Sequence, residues 1–263
     1  MNVSQEELVK IEEIPITMPL GEEFSSQIEI ARKYPRSLDK CLNSCIALVT
    51  LDMVFAQSCV YSMPVDGQRV TGPSVHLARM LAQQYGNLRA EAQMVDVTDK
   101  HVISEAIAFD LETNYAVKIR VWRRIINKTG KRYSEAMITT TGMAATAIAF
   151  RNAVFYVTPK PLVNKIMEAA GNTIVGQIQT DQELIARRLQ VIEGFNTTYG
   201  VSVQELLKYL NLSSVNHITR EQLLLLYQLA QAIKDNETTV EEAFVRGPEK
   251  NGNSKTDTVF GKP

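Results

Sequence analysis

The sequence predicts an α+β fold, and three observations carry that reading. Tyr115, Val117, Ile119 and Val121 alternate with their neighbours at the two-residue period of a half-buried strand. Two more strand-like segments, residues 88–97 and 102–111, precede it across the short polar turns Thr98-Asp99-Lys100 and Glu112-Thr113-Asn114. Helical periodicity marks the chain on both sides of these strands. The expected order is helix, β-hairpin, helix, three-stranded antiparallel meander and long packing helix, followed by a small all-α domain.

Residues 1–27 are acidic, and Pro15, Pro19 and Gly21 interrupt any long helix, so they read as a flexible arm. Ser37 or Asp39 caps the first helix, whose Leu42, Ile46, Val49 and Met53 fall on one stripe. Asp66-Gly67 between two short apolar runs is a hairpin signal, because both central positions of such a turn need positive φ. Gly72-Pro73-Ser74 then opens a helix with Leu77, Met80 and Leu81 inward, ended by Gly86. Beyond the meander, 127–132 is a basic loop. Thr139-Thr140-Thr141-Gly142 leads into an apolar helix from Met143 to Val157, stopped by Pro159 and Pro161, and a short helix runs to Ala170. Amphipathic helices are predicted over 181–193, 203–210 and 220–234, with a short one at 239–244. The implied domains are an arm at 1–27, a core at 28–170, a linker at 171–180, a helical domain at 181–245 and a disordered tail at 246–263.

Composition bounds the class. The chain has 263 residues, 45% hydrophobic and 22% charged, which excludes wholesale disorder and fibrous repeats. No apolar run reaches the ~18 residues of a membrane span, and the Glu-rich start predicts no signal peptide. Cys41, Cys45 and Cys59 are an odd number without a zinc pattern, so reduced thiols in the cytoplasm are expected. The net charge of −1 conceals a strong polarity: from Lys118 to Lys165 there are ten bases and one acid, Glu135, leaving 18 bases and 28 acids elsewhere.

Catalytic signatures are sparse. Neither Gly130-Lys131 nor Gly261-Lys262 has the upstream glycine of a phosphate-binding loop. His76, His101 and His217 are scattered without metal-ligand spacing, and Cys59 has no activating neighbour in sequence. Asp96, Asp99, Glu105 and Asp110 lie on or beside the meander, but solvent-facing strand and turn positions explain them more simply than a metal site does. No enzyme activity, metal or cofactor is expected.

The positive signal is the basic middle. Alternation separates Val117, Ile119 and Val121 from Lys118, Arg120, Trp122 and Arg124, putting three cations and the only tryptophan on one strand face. Such a face suits nucleic acid: cations replace condensed counterions, and an aromatic ring stacks on an unpaired base. Lys128, Lys131 and Arg132 extend it into the loop, and Arg151 in the apolar helix must line a groove or pair with an acid. Arg69 on the hairpin and Arg79 on the next helix are weaker candidates. Thr140, Thr141 and Gly142 are phosphate-binding candidates if a helix starts there. No helix-turn-helix, zinc finger or basic zipper is present, which disfavours duplex reading.

The texture of 47–53 (Ala-Leu-Val-Thr-Leu-Asp-Met), 61–68 (Tyr-Ser-Met-Pro-Val-Asp-Gly-Gln), Gly72-Pro-Ser-Val-His-Leu-Ala-Arg-Met-Leu, Tyr85-Gly-Asn-Leu and Arg151-Asn-Ala-Val-Phe resembles the phage RecT/Redβ group of single-strand annealing proteins. The resemblance covers about residues 30–170 and rests on element order and local texture. It implies ATP-independent coating and pairing of single-stranded DNA in phage-type homologous recombination and repair, assembly into homo-oligomeric rings or helical filaments, and a cytoplasmic setting in a bacterial host. It further implies that 181–245 contacts a phage exonuclease or a host single-strand binding protein. The acidic start departs from the group's lysine-rich approach. Three other readings stay open: a non-annealing single-stranded DNA or RNA-binding module, a metal-dependent nuclease built on Asp96, Glu105 and Asp110, and a structural adaptor whose basic strip binds an acidic partner, its own N-terminus included.

Overall fold

The structure, a computed structural model, describes residues 22–244 except 66, 67, 128 and 177; the side chains of 22–24, 64, 65, 68, 69 and 175 lie outside the description as well. The described chain is α+β and divides into two units, one of residues 22–60 and 73–174, the other of 61–72 and 175–244. The hairpin expected inside the 28–170 core thus groups with the C-terminal residues.

In the first unit, α1 (Glu22–Lys33) begins inside the stretch expected as an arm. No proline intervenes between Gly21 and Pro35, and Ile28 and Ala31 pack on Phe109 and Leu111, so helix forms where acidity alone suggested a loose segment. Ser37 caps α2 (Leu38–Leu51), accepting from the Lys40 N–H at 3.2 Å. The buried line of α2 is Cys41, Cys45 and Val49; Leu42 and Ile46 of the expected stripe flank it half-buried. All three cysteines are free and buried. Asp52 breaks the helix and caps α3 (Met53–Ser58), accepting from Val54 and Phe55 N–H. Ser74 caps α4 (Val75–Tyr85), with Leu77, Met80 and Leu81 buried. Gly86 and Asn87, both at positive φ, turn the chain sharply from α4 into the sheet.

Strands β1 (Leu88–Val97), β2 (His101–Asp110) and β3 (Tyr115–Arg124) form an antiparallel sheet with β2 in the centre. On one face, Ala106 and Ala108 of β2 stand beside Ala90 and Ala92 of β1 and Val117 and Ile119 of β3. Onto these pack Ala149 and Ala153 of α5 (Glu135–Val157). Small residues on both sides let the helix lie close. At Gly142 of α5 a Cβ would come within 2.7 Å of Met94 Sδ. Then α6 (Lys160–Gly176) continues well past Ala170, shortening the expected linker; its last residues enter the second unit.

The chain joins α2 to the sheet end through a buried ionic cluster. The Arg36 guanidinium bonds Asp110 and, at 2.9 Å, Glu112, and sits 4.2 Å from the Tyr85 ring centroid. Asn87 Nδ2 donates to Glu112 Oε1 at 2.6 Å and to the Tyr34 carbonyl at 2.9 Å. Burial raises both carboxyls, but the bonds to Arg36, with Asn87 for Glu112 and backbone N–H groups for Asp110, hold each below the usual range.

In the second unit, α7 (Asp181–Tyr199), α8 (Val203–Leu210), α9 (Arg220–Lys234) and α10 (Val240–Ala243) enclose a core that includes Phe195, Leu206, Ile218, Leu223, Leu226 and Leu229. Thr180, Ser202, Thr219 and Thr239 each close a reciprocal capping box, which explains why these boundaries were readable. Helix α7 runs through Gly194 to Tyr199, beyond the expected end at Glu193, and stops at Gly200 with φ 62°. This unit also holds residues 61–65 and 68–72 of the two-stranded sheet formed by Val60–Val65 and Gln68–Pro73, whose turn residues Asp66 and Gly67 lie outside the described residues. Among the described residues, no helix is long and apolar enough to cross a membrane.

Candidate nucleic-acid interface

Register decides what shares a face. In the sheet of the first unit, Lys118 stands opposite Ile107, Arg120 opposite Glu105, Trp122 opposite Ile103 and Arg124 opposite His101. This face is the reverse of the one covered by α5. Lys118, Arg120, Trp122 and Arg124 are exposed, while Val117, Ile119 and Val121 on the α5 side are half-buried. Trp122 is 61% exposed, with the His101 ring edge-on at 6.1 Å between centroids. Alternate strand residues stand about 6.6 Å apart, so the row offers charge, charge, aromatic, charge at even spacing.

One residue of this face, Glu105, was expected as a solvent-facing strand position and is instead buried. Glu105 is 2% exposed at the middle of β2 and receives Lys118 Nζ at 2.8 Å and Arg120 Nε at 2.6 Å. Burial pushes its carboxyl up, but the two cations outweigh that and hold it below the usual range. It is the one carboxylate in the line His101, Ile103, Glu105, Ile107, Phe109, and that alternation was the signal available. The row is therefore a pair of cations sharing one buried anion, followed by Trp122 and Arg124.

The other expected residues distribute unevenly. Lys131 and Arg132 follow β3 on a tight loop that Ile126 and Arg132 close by bridging. Arg132 Nη1 donates to the Thr98 carbonyl at 2.9 Å and lies 3.8 Å from Asp99, so part of its charge is answered locally. Lys128 and the Arg69 side chain lie outside the described residues. Arg79 belongs to the α5 side of the sheet. It lines a cavity of about 500 Å³ with Ala92, Met94, Thr139, Met143 and Phe150, and so does not join the β3 row.

Two expectations are corrected. Arg151 is only 8% exposed and its Nε donates to Asn152 Oδ1 at 3.2 Å, so it is not a surface cation of the row. Thr140, Thr141 and Gly142 do not begin a helix. Ser134 caps α5, two turns earlier than expected, and the hydroxyls of Thr139, Thr140 and Thr141 donate to the carbonyls of Glu135, Ala136 and Met137. The free N–H groups of a helix start are not available there, which removes the physical reason for a phosphate site. β-Branched threonines are weak helix formers, but packing of the same helix on the sheet overrides that preference.

Asp96, Glu105 and Asp110 do not converge: Glu105 is held by Lys118 and Arg120, Asp110 by Arg36, and Asp96 accepts from the Val97 N–H. Among the described residues, no group of three or more His, Cys, Asp or Glu side chains is placed to hold a metal ion. In comparison with known proteins, no family model matches the chain, and no curated protein or solved structure matches it. The class that can be stated from the fold is an α+β chain carrying a helix-backed antiparallel sheet with one cationic, tryptophan-bearing face.

Proposed function

We propose that this protein binds single-stranded DNA on the exposed face of β3 and promotes pairing of complementary strands without ATP. The observation that carries the reading is the row Lys118, Arg120, Trp122 and Arg124, exposed on a sheet held rigid from behind by α5. Phosphates neutralised by the cations release counterions, and Trp122 offers a stacking surface that is indifferent to sequence. Bases held by their backbone keep their pairing edges free, so complementarity itself supplies the driving force. Assembly along the strand into rings or filaments, and recruitment of a recombination partner by the helical residues 181–245, belong to the same proposal.

The test uses two complementary labelled oligonucleotides mixed with protein and no nucleotide. An annealer accelerates the fluorescence change, whereas a simple coating protein retards it. Slower pairing than in buffer alone would replace annealing with the plain binding module.

A further inference from the structure

The chain contains an acidic segment that the function leaves unused. Residues 1–21 carry Glu6, Glu7, Glu12 and Glu13 against a single Lys10, with Ile11, Ile14, Ile16, Met18 and Leu20 interspersed. We propose that this segment docks on the cationic face of β3 in its own chain and there competes with single-stranded DNA; the competition, though not the docking, rests on the function proposed above.

Four observations converge. First, α1 lies on the same face of the sheet as the cations. Its Ile28 and Ala31 pack on Phe109, which is in line with Glu105 and Ile107 on β2, and its Gln27 accepts from Arg89, which stands opposite Phe109 on β1. Helix α1, which follows residues 1–21 in the sequence, is therefore on the cationic side. Second, the segment is long enough. Glu22 is about 9 Å along the helix from Ile28, and 21 residues span up to ~70 Å extended, against about 33 Å for a ten-residue strand.

Third, the face already binds a carboxylate. Glu105 receives Lys118 and Arg120 at 2.8 and 2.6 Å, which demonstrates that these side chains close on an anion of this chemistry while each stays about half exposed or more. Trp122 offers an apolar partner for the aliphatic residues between the glutamates. Fourth, the other end of the chain does not fit. Residues 245–263 hold Arg246, Lys250, Lys255 and Lys262 against Glu249 and Asp257, the wrong sign for this surface. Docked carboxylates and phosphates then seek the same cations, and occupancy by one excludes the other.

The experiment uses the full chain in two arms. Carbodiimide couples adjacent carboxylates to lysine, and an equal mixture of unlabelled and ¹⁵N-labelled protein reports whether a link lies within one copy. Expected are links from Glu6, Glu7, Glu12 or Glu13 to Lys118 or Lys131 within one copy, suppressed by added oligo(dT). In the second arm, Glu6→Gln, Glu7→Gln, Glu12→Gln and Glu13→Gln are combined, and binding of labelled oligo(dT) is followed by anisotropy. The combined variant is expected to bind roughly five- to ten-fold tighter at low salt, with the gain vanishing near ~0.5 M salt. Links without any oligo(dT) binding would uphold the docking and overturn the proposed function instead. Absent links together with unchanged affinity would overturn the docking. Links only between differently labelled copies would overturn it too, in favour of a neighbouring copy as the surface occupied.

Discussion

The two faces of the β1–β2–β3 sheet obey one alternation and reach opposite ends. Toward α5 the strands offer Ala90, Ala92, Ala106 and Ala108 with Val117 and Ile119, and the helix answers with Ala149 and Ala153. Away from α5, the same strands carry Glu105, Lys118, Arg120, Trp122 and Arg124 among Ile103, Ile107 and Phe109. The small-residue face admits no bulk but needs no charge balance. The other tolerates long side chains, because lysine and arginine cover apolar surface with their stems while keeping their heads in water. A rigid back and an adaptable front come from the same strands.

The largest effect is expected where the sheet end is fastened. Arg36→Met leaves Asp110 and Glu112 without their cation, at a cost of about 3–5 kcal/mol in urea unfolding at pH 7. Both carboxyls titrate lower folded than unfolded, so the stability they contribute is full above their ordinary range and lost as pH falls through the depressed values. The gap between wild type and variant should therefore narrow steadily as pH is lowered from 5 toward 2; a gap independent of pH would detach the cluster from the loss.

Next comes a direct contrast of the faces. Ala106→Leu overpacks the α5 side and should cost ~1–3 kcal/mol of stability. Trp122→Ala, on the exposed side, should leave thermal unfolding nearly unchanged while weakening oligo(dT) binding by about 1–3 kcal/mol. If Trp122→Ala melted the protein as much as Ala106→Leu, the division between back and front would be wrong.

The smallest effect is the most specific. Glu105→Gln releases Lys118 and Arg120 from their carboxylate, so oligo(dT) affinity should rise a few-fold and its salt dependence steepen by up to about 1.4 for two freed contacts. The buried carboxylate also dictates how the cations must be tested. Removing Lys118 and Arg120 alone strands Glu105, a loss of fold that mimics a loss of binding, so Glu105→Gln belongs in the same variant.

The elements were legible where local chemistry decides them. Ser74 before α4, Gly86 after it, and the capping boxes at Ser202 and Thr219 put boundaries in the sequence itself. The row on β3 was legible because alternation needs no partner. Long-range pairing was not. The start of α5 at Glu135 has a local cap in Ser134, but what holds its first turns is the packing of Ile138 and Ala145 on Val97, Val102 and Ile125, distant in sequence; the role of Glu105 follows from a register that sets it opposite Arg120. Arg36 carried no motif, and its partners lie 74 and 76 residues away. The free-cation count of the basic middle was therefore too high, since the anion beneath it comes from outside that stretch.

In the described sheet, β3 pairs with β2 on one side only. Its other edge carries a ladder of backbone groups that could template a foreign strand, and its side chains set like charge against like charge whenever two such edges approach. The row is thus also a guard: like charges along β3 disfavour edge-to-edge pairing of two such strands.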